Sequence, residues 1–518
     1  MTGKGLCGVC ESQAQQACGG CGLVYYCSKE HQRKDWPSHR QECQPYKIVS
    51  TPEAGQYLIA GRPLKAGHCI LKDTPLVVGP LSSSSLLCLG CFSNITKENF
   101  VKCPQCQWPL CSDDCATSNL HKDECLILAR DKKGIGIPKV NEDTPRYDCI
   151  LLIRCLLLKS TNLQAWEVLL KMASHVEQRM INKEPHHMTT VFYVSQILKV
   201  DFEADTVHQI RGAIATNAVE IPSEKGSRVR SLYPRIRLLN HSCAPNVNLT
   251  CARNQVMEAR TATSVDYGAP LHICYTATTA PIWERQSNLH DSYYFTCTCQ
   301  RCSDPTELGT YFSYPRCPQC KKLYMQKEET VWICKECKYE QCSSAVQENV
   351  MEAIDKFNES FNGSSYEKVV SVLDQAEKTY HPTHYVWMRV AQRALYKTLS
   401  HKQSLDILKL RRDIWIRLLP LYETFEPGLT RRRGMSLLET GSAILEAEVL
   451  EQKQNSCFSS QSKNQIELTV KYFREAAYIL GLEHPDSNEV TLSRKAEEKR
   501  IEAEDILVRM TSGSFRAE

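Results

Sequence analysis

The chain has 518 residues, and its 63 Lys and Arg against 59 Asp and Glu give a formal net charge of +4. The length predicts three or four domains, and 24% charged with 42% hydrophobic residues is typical of a folded globular protein. This charge balance argues against a polyanion-binding surface, so no direct nucleic-acid binding is expected. The 28 cysteines are metal ligands, disulfides or buried thiols, depending on the redox compartment.

The N-terminal sequence and the apolar runs bear on that compartment. Residues 1–10 lack the apolar core of about 7–15 residues that a secretion signal carries. The longest apolar run, residues 149–158, is interrupted by Arg154 and is shorter than the roughly 20 residues that span a bilayer. We therefore expect no membrane segment and a reducing location, the nucleus or the cytoplasm, where cysteine spacing favours zinc.

The first 43 residues carry two Cys-x2-Cys pairs, then a cysteine, two histidines and a last cysteine. Tetrahedral zinc accepts thiolate and imidazole ligands, and a tight turn between paired cysteines aims both sulfurs at one ion. Scattered buried cysteines are the alternative explanation. The predicted ligands, enough for two zinc ions, are Cys7, Cys10, Cys18, Cys21, Cys27, His31, His39 and Cys43.

A second group of eight ligands follows a stretch of short apolar runs. Residues 57–80 are broken by Gly and Pro, which predicts short strands joined by tight turns. The next cysteines then repeat the first arrangement with a longer first loop. The predicted ligands are Cys88, Cys91, Cys103, Cys106, Cys111, Cys115, His121 and Cys125.

The middle of the chain alternates between helical and strand patterns. One predicted helical stripe consists of Leu163, Trp166, Leu170 and Ala173. A second consists of Val207, Ile210, Ile214 and Asn217, with Asp205 as its N-cap. Asn217 is polar on a core-facing stripe, so its partner is either the backbone or a ligand. Residues 233–251 and 270–275 then return to the pattern of short strands.

Two further cysteine groups follow the strands. Cys297, Cys299 and Cys302 supply three thiolates, one short of a closed structural zinc site. Four more cysteines have the spacing of a complete zinc ribbon, namely Cys317, Cys320, Cys334 and Cys337. These assignments account for 20 of the 28 cysteines and leave the fourth ligand of the three-thiolate group to be found among the other eight.

Several motifs resemble known families. The first finger resembles a MYND zinc finger, most closely where its last ligands stand, and the second group repeats it. Residues 240–246 read NHSCAPN, which resembles the NHSCxPN motif of SET domains. RPLKAG at 62–67 is similar to an early SET turn, and YYFTCTCQRC at 293–302 to a post-SET motif. The combination resembles the SMYD (SET and MYND) protein-lysine methyltransferases, and most of all their arthropod SmydA branch.

The resemblance implies how the zinc ligands pair. In each cross-braced finger the first and third pairs of ligands share one ion, and the second and fourth pairs share the other. The post-SET site takes its fourth thiolate from the NHSC motif, which is Cys243 here. The implied sets, with the ribbon making about six zinc ions, are Cys7/Cys10/Cys27/His31, Cys18/Cys21/His39/Cys43, Cys88/Cys91/Cys111/Cys115, Cys103/Cys106/His121/Cys125 and Cys243/Cys297/Cys299/Cys302. The other seven cysteines, at 69, 149, 155, 251, 274, 342 and 457, are expected to be small buried hydrophobic residues.

The expected architecture is an α+β multidomain chain. A β-rich SET domain carries an inserted MYND finger and is preceded by an extra MYND finger. A post-SET zinc site and a zinc ribbon follow, and helical spacing after residue 344 predicts a TPR-like α-helical domain. The predicted boundaries are 1–45 for the first finger, 46–82 for the first part of the SET domain, 83–126 for the second finger, 127–295 for the SET remainder with a helical insert, 296–343 for the post-SET region and ribbon, and 344–518 for the helical domain.

The resemblance also implies a function. SMYD proteins transfer a methyl group from S-adenosylmethionine to lysines of histones or other proteins, including in transcriptional regulation. Tyr275 corresponds to the active-site tyrosine, although a strand-core tyrosine is the alternative. The cofactor-contacting residues by the family's pattern are Asn217, Asn240, His241, Tyr275, Tyr293 and Phe295. A protein substrate, proline-containing peptide partners of the MYND fingers and a monomeric state are also expected.

His31 stands where most MYND fingers have cysteine, although imidazole is also a zinc ligand. Two further departures from the family's pattern bear on enzymatic activity. Tyr57 stands where the Gly-x-Gly turn has its second glycine, and Ala269-Pro270 replaces a Glu-Glu pair. A glycine there lets the backbone approach the cofactor, whereas tyrosine adds bulk and restricts φ. The alternative to an enzyme is therefore a weak or inactive SET/MYND scaffold or corepressor that binds proline-containing peptides.

Overall fold

The computed structural model describes residues 5–19, 21–96, 98–137, 147–322, 324–328, 331–361, 365–399, 403–455 and 458–512. Short strands, zinc-ligand clusters and a helical insert occupy the part before residue 343. The described residues after it are mainly helical. None of the helices in these ranges is long and apolar enough to cross a membrane. The α+β class and the helical C-terminal region predicted from the sequence are thus confirmed.

The first finger consists of two small hairpins and one helix. Ser28 begins the helix, because its hydroxyl accepts a hydrogen bond from the backbone N–H of His31 at 3.3 Å. The first hairpin pairs β1 with β2 and the second pairs β3 with β4. The elements are β1 (Gly5–Leu6), β2 (Gln13–Ala14), β3 (Gln16–Ala17), β4 (Tyr25–Tyr26) and α1 (Lys29–Glu42).

The second finger is folded into the body of the protein. Strands β5 to β8 precede it and belong to the strand-rich core. The finger itself consists of a hairpin, a 3-10 helix at Asp113–Thr117 and a short helix. Trp108 and Leu110 of this finger are fully buried in one core with the helices that follow. The elements are β5 (Tyr46–Thr51), β6 (Gly55–Ala60), β7 (Cys69–Asp73), β8 (Val77–Pro80), β9 (Val101–Lys102), β10 (Pro109–Leu110) and α2 (Lys122–Leu128).

A helical insert follows the second finger. Its elements are α3 (Asp148–Thr161), α4 (Leu163–Leu170), α5 (Val176–Ile181), α6 (Pro185–Phe192), a π-helical turn (Tyr193–Ile197) and α7 (Ala204–Asn217). The stripe predicted in α4 is wrong in part, because Leu163 is 61% exposed and Ala173 lies beyond the end of the helix. The buried face of α4 consists of Ala165, Trp166 and Leu169. The Asp205 cap is also wrong, because Glu203 precedes the helix and Asp205 lies within its first turn.

Strands from both sides of the second finger and insert form the SET-like core. β8 pairs with β12, which pairs with β11, and β7 pairs with β15, which pairs with β14. β5 and β6 form a hairpin, while β13 and β16 run parallel. The elements are β11 (Val219–Pro222), β12 (Arg228–Leu232), a 3-10 helix (Ile236–Leu238), β13 (Asn240–His241), β14 (Val247–Cys251), β15 (Met257–Thr261) and β16 (His272–Ile273).

The post-SET region and the ribbon connect this core to the helical domain. Trp332 of the ribbon is 1% exposed and packs edge-on against Tyr314, with ring centroids 5.1 Å apart. Strand β18 lies between β17 and β19. The elements are α8 (Ile282–Tyr293), α9 (Gln300–Ser303), β17 (Tyr324–Glu328), β18 (Val331–Cys334) and β19 (Glu340–Cys342).

The described part of the last third contains seven helices, and from α11 onward each packs against the next. Val369, Leu373 and Ala376 are buried, as the helical spacing predicted. The helices form two hydrophobic cores, one centred on α11 to α13 and one on α14 to α16. They are α10 (Ser343–Ser360), α11 (Tyr366–Thr379), α12 (Tyr385–Thr398), α13 (Leu405–Phe425), α14 (Arg431–Asn455), α15 (Ser460–Gly481) and α16 (Asn488–Ser512). A TPR-like arrangement stays a prediction.

The turn between α13 and α14 contacts the SET-like core directly. The backbone N–H of Leu429 donates to the carbonyl of Ala262 at 2.7 Å. Gly428 has a left-handed φ of +75°, and a Cβ built on it would lie 2.1 Å from that carbonyl oxygen. Asn248 of β14 donates to Glu483, in the loop after α15, at 3.1 Å. These contacts fix the helical domain beside the strands and leave a cleft between them.

The cysteines without an assigned zinc site do not all behave alike. Cys149 and Cys155 are buried in the insert, as predicted for small hydrophobic residues. Cys342 is exposed, which contradicts that prediction, because it ends β19 at the surface before α10 begins. Cys457 lies outside the described residues.

Candidate functional site

The predicted zinc ligands come together in groups of four. Within each group the potential ligand atoms all lie within 4.8 Å of one another. These groups are Cys7/Cys10/Cys27/His31, Cys18/Cys21/His39/Cys43, Cys88/Cys91/Cys111/Cys115, Cys103/Cys106/His121/Cys125 and Cys243/Cys297/Cys299/Cys302. The structure therefore brings together the same ligands that the cross-braced pairing combines.

The spacing within the groups fits zinc. A tetrahedral ion with Zn–S bonds near 2.3 Å requires sulfurs about 3.8 Å apart. Sγ–Sγ distances are 3.8 Å for Cys18 and Cys43 and 3.5 Å for Cys103 and Cys125. The ribbon has the same geometry, with 3.6 Å between Cys317 and Cys337 Sγ and 3.3 Å between Cys320 and Cys334 Sγ. Thiolate and imidazole donors at these distances can hold zinc at every group.

Buried charges support one zinc group of the second finger. His121 places Nε2 3.4 Å from Cys106 Sγ, and its Nδ1 donates to Glu124 at 3.1 Å. Arg154 of α3 holds both carboxylate oxygens of Glu124, at 2.6 and 2.8 Å. The same guanidinium donates to the carbonyls of Val78 and Leu89. A carboxylate behind a metal-binding histidine fixes its tautomer, so this zinc group is joined to the SET-like core.

A buried arginine also lies against the post-SET thiolates. Arg285 Nε is 3.2 Å from Cys243 Sγ, and its Nη2 is 3.7 Å from Cys302 Sγ. Arg285 and Arg301 both contact Glu307, and all three side chains are 0% exposed. A four-thiolate zinc site carries net negative charge, which the neighbouring guanidinium offsets. The Sγ atoms of Cys243 and Cys302 lie 3.5 Å apart, and the positive charge of Arg285 lies next to both.

The NHSCAPN segment is held against β16. Asn240 and His241 pair in parallel with His272 and Ile273. Asn246 fastens the same loop, because its Nδ2 donates to the Pro270 carbonyl at 2.8 Å and its Oδ1 accepts from the His272 N–H at 2.7 Å. Asn246, the last residue of the motif, thus binds the backbone on both sides of Leu271, just before Tyr275.

Tyr275 follows this strand after Cys274 and is partly buried. Its hydroxyl donates to the carbonyl of Leu239 at 2.8 Å, and its backbone N–H donates to His241 Nδ1 at 2.9 Å. Since Nδ1 accepts, the proton of a neutral His241 sits on Nε2, which faces Cys243 Sγ at 3.2 Å. Burial raises the pKa of Tyr275, and Tyr293 adds to the rise. The hydroxyl is therefore neutral and fixed beside a backbone carbonyl.

Two aromatic side chains accompany Tyr275. The Tyr293 ring centroid is 4.8 Å from that of Tyr275, and Phe295 lies 6.0 Å from His241. His241 is in turn 5.3 Å from Tyr275. Phe295 is 36% exposed, so it lies at the edge of the group. The structure thus brings four of the predicted site residues into one aromatic cluster.

This cluster opens into a cavity of about 950 Å³ in the cleft between the strands and the helical domain. Its lining includes Asn217, Leu239, Tyr275 and Tyr293 from the SET-like side and the segment 483–489 from the helical side. A cavity of this size accommodates a drug-sized ligand. The rings of Tyr275 and Tyr293 are therefore accessible to a small molecule.

The asparagine predictions have different outcomes. Asn217 donates both Nδ2 hydrogens to backbone, to the carbonyls of Ala173 and Ala213 at 2.8 Å each. Within the described ranges nothing donates to its Oδ1, so this oxygen remains an acceptor for a ligand ammonium group at the cavity. Asn240 donates to the Ala54 carbonyl at 3.3 Å, beside the predicted Gly-x-Gly turn. Both asparagines fit a small polar cofactor.

The departures from the family's pattern are accommodated by ordinary strand geometry. Tyr57 lies within β6 paired with Val49, and it is not among the described residues with positive φ. Gly55 adopts the left-handed φ of +62°. Ala269 accepts a hydrogen bond from the Ala60 N–H at 2.8 Å. Neither departure removes His241 or Tyr275 from the cluster, and Asn240 keeps its pairing with His272.

Sequence reasoning missed the buried charges behind the zinc groups. Glu124, Arg154, Arg285, Arg301 and Glu307 all lie beside metal or motif residues. A signal existed for Arg154, which is the single charge in an otherwise apolar run. For the others, sequence spacing shows no relation to the groups they contact, since Glu307 and Arg285 are 22 residues apart.

Comparison with known proteins supports these assignments. The MYND finger family matches residues 7–43. The chain is 25% identical to the SET domain-containing protein SmydA-8, isoform A, of Drosophila melanogaster, over 58% of this chain and 66% of that protein. It is 24% identical to the histone-lysine N-methyltransferase ASHR1 of Arabidopsis thaliana, over 88% of this chain and 95% of the relative.

A human relative gives the same result over a shorter region. The chain is 24% identical to the histone-lysine N-methyltransferase SMYD3 of Homo sapiens, over 50% of this chain and 62% of that protein. The matched regions thus span slightly less than two thirds of SmydA-8 and SMYD3 and nearly all of ASHR1. The matched finger and these relatives confirm the resemblance found in the motifs, and the chain is similar to proteins of the SMYD (SET and MYND) family.

Proposed function

We propose that the protein is an S-adenosylmethionine-dependent protein-lysine N-methyltransferase that acts on lysines of histones or other proteins, including in transcriptional regulation. One observation carries the proposal: the Tyr275 hydroxyl donates to the Leu239 carbonyl at a cavity that Asn217, Leu239, Tyr275 and Tyr293 line. Relatives named as histone-lysine or N-lysine methyltransferases support the reaction class. We further propose a monomer in the nucleus or cytoplasm.

The residues around the cavity would hold the two reactants. S-adenosylmethionine, when bound, supplies a methyl group on sulfur for in-line transfer to a lysine nitrogen. Asn217 Oδ1, the backbone of Asn240 and His241, and the rings of Tyr293 and Phe295 would contact the cofactor. Reactants held in line at near-attack distance gain several kcal/mol of barrier lowering. Tyr275 and the Leu239 carbonyl would fix the geometry at the reacting centre.

The aromatic wall also favours the required protonation state of lysine. An ammonium nitrogen has no lone pair, so the substrate lysine reacts only as the neutral amine. Burial raises the pKa of both Tyr275 and Tyr293, which reflects a site that disfavours charged forms. The same low polarity lowers the pKa of a lysine that enters between the two rings.

Zinc has a structural role in this proposal. Each group supplies four protein ligands, which leaves no open position for substrate or water. Cys243 belongs both to the NHSC motif and to the post-SET group, so zinc at that group would hold β13 in place. The metal would therefore support the cavity without taking part in the transfer.

The decisive experiment compares Tyr275→Phe with the wild type in radiolabelled methyl transfer to proteins of a cell extract. Loss of the positioned hydroxyl is expected to reduce transfer about 100-fold or more. Tyr233→Phe is the matched control, because Tyr233 lines the same cavity and its hydroxyl also donates to a backbone carbonyl, that of Gln255 at 2.7 Å. Equal labelling by wild type and Tyr275→Phe contradicts the enzymatic proposal.

Peptide binding by the first finger is a second candidate function. Its ligands Cys10 and Cys27 are exposed, and Trp36 and Leu6 are 45% and 65% exposed. This finger therefore presents apolar surface, which fits a proline-containing peptide. A Cys18→Ser variant should lose peptide capture and keep methyl transfer, whereas Tyr275→Phe should do the reverse. Capture that survives Cys18→Ser contradicts this candidate.

A further inference from the structure

Arg179, near the end of α5, uses every nitrogen of its guanidinium group within the protein. Nε donates to the Ser174 carbonyl at 3.1 Å, and Nη1 donates to both carboxylate oxygens of Glu184 at 3.0 and 2.9 Å. Nη2 donates to Thr216 Oγ1 at 3.1 Å and to the Ser292 carbonyl at 3.0 Å. The two Nη1 contacts share the one carboxylate of Glu184, so all three guanidinium nitrogens have partners within the protein. With 3% exposure, this side chain is fixed in one orientation.

The two acceptors of Nη2 lie next to the candidate active site in the chain. Thr216 precedes Asn217, and Ser292 precedes Tyr293. One guanidinium group therefore joins the end of α7 to the end of α8, the two helices that deliver these site residues. Such a bidentate, multiply bonded arginine is sensitive to replacement even by lysine, which offers a point charge and no fork.

The carboxylate of Glu184 extends this contact to Tyr294. The Tyr294 hydroxyl donates to Glu184 Oε1, and the guanidinium of Arg179 lies 5.1 Å from the Tyr294 ring centroid. Burial acts to raise the pKa of Glu184, but the hydrogen bonds from Tyr294 and Arg179 lower it overall. The carboxylate is therefore charged at neutral pH and keeps both partners.

Tyr294 needs such support because its backbone is strained. Its φ of +59° lies in the left-handed region, which is unfavourable for a bulky side chain. This residue separates Tyr293, which packs on Tyr275, from Phe295, which lies near His241. This left-handed residue ends α8 and turns the chain, and the rings of Tyr293 and Phe295 on either side of it both reach the same cluster.

We propose that Arg179 is a positioning residue of the candidate active site. Together with Glu184 it holds Tyr294 in its left-handed conformation, and so it sets the orientation of Tyr293 and Phe295 over the cofactor pocket. The side chain of Arg179 acts through these neighbours and is not itself a catalytic residue. The inference rests on the proposed function for the identity of the cofactor.

The first test measures amide hydrogen exchange in the zinc-loaded full chain without cofactor. Arg179→Lys keeps the charge and loses the fork, so exchange of the amides at 293–296 is expected to rise about tenfold. Tyr294→Phe removes only the hydroxyl that bonds Glu184 and is expected to raise exchange about threefold. Unchanged exchange at 293–296 in both variants contradicts the inference.

The second test measures S-adenosylhomocysteine binding by calorimetry. Its Kd is expected to rise about tenfold in Arg179→Lys and about threefold in Tyr294→Phe, because the aromatic cover is less ordered. In steady-state assays the KM for S-adenosylmethionine should rise by the same factors with a smaller change in kcat. A purely structural role lowers thermal stability without this separation of KM from kcat.

Arg211→Lys is the matched control. Arg211 of α7 is also buried, at 6% exposure, but its ion-pair partner is Asp148 at 4.0 Å, away from the aromatic cluster. It should leave cofactor affinity unchanged. If Arg179→Lys does not fold, Tyr294→Phe decides the outcome. A wild type that binds no S-adenosylhomocysteine overturns the proposed function and this inference together, whereas normal wild-type binding with unchanged variants overturns the inference alone.

Discussion

Individual buried polar side chains determine much of the chemistry of this protein. His187 and His208 form a stacked pair, with Nε2 of one 2.9 Å from Nδ1 of the other. His187 is 1% exposed, and within the described ranges its Nδ1 has no hydrogen-bond partner. Burial, and then Arg211 and His208, lower the pKa of His187 to about 4, while Glu184 acts to raise it. A neutral pair of imidazoles is therefore built into the helical insert.

This pair predicts an acid-sensitive contribution to stability. An unfolded histidine takes up a proton near its usual pKa of 6.5, whereas folded His187 does so only near 4. Stability is therefore lost as pH falls below 6.5, by about 1.3 kcal/mol between pH 7.5 and 5.5. The difference in unfolding free energy between wild type and His187→Gln, measured at both pH values, should change by that amount. A pH-independent difference contradicts the prediction.

At the scale of elements, the two fingers have similar ligand spacing and different surroundings. The first finger has its own small core and exposes two of its ligands. In the second finger the Cys103/Cys106/His121/Cys125 group is buried throughout, and Glu124 and Arg154 join it to α3 and β8. The second finger is therefore part of the SET-like core, while the first is available for contact with other proteins.

Glu124→Gln tests that junction. It removes the charged acceptor for His121 and leaves Arg154 buried without its counterion. Zinc affinity of this group is expected to fall about 10–100-fold, and stability by about 3–5 kcal/mol. Chelator competition and thermal unfolding measure the two effects. Asp114→Asn, an exposed change in the same finger, should alter stability by about 0.5 kcal/mol at most. If the two variants have the same zinc affinity and the same thermal stability, Glu124 does not join this zinc group to the SET-like core.

For the whole molecule, metal dependence is unevenly distributed. The zinc-ligand groups identified among the described residues lie before residue 343, whereas α11 to α16 pack through apolar cores of their own. Binding energy of a structural zinc ion is folding energy, so the first part depends on metal and the last part does not. The exposed ligands of the first finger also make it the first to meet a chelator.

A chelator time course tests this order. The first finger is expected to lose its zinc at least about tenfold faster than the second, and the helical third should keep its helix content meanwhile. Native mass spectrometry counts the bound ions, and hydrogen exchange locates the part that unfolds. Simultaneous loss of all zinc ions together with the helix signal contradicts the prediction.

Local sequence was sufficient where ligands or motif residues are close along the chain. Cys-x2-Cys turns and NHSCAPN fix their own geometry, because few backbone conformations place such neighbours correctly. The predictions for α4 and for Asp205 were wrong, since the buried face and the start of a helix depend on what packs against them. Periodicity alone identifies a helix and leaves its exact limits to tertiary contacts.

The cysteine count and spacing by themselves determined that this is a zinc-organised protein, and the motifs determined its family resemblance. Only the tertiary structure decided how Tyr275, His241, Tyr293 and Phe295 meet, because they come from segments separated by up to 54 residues (241 to 295). It also decided which charges are buried beside zinc and how Arg179 holds Tyr294. Such contacts depend on the packing of distant segments, which local spacing does not encode.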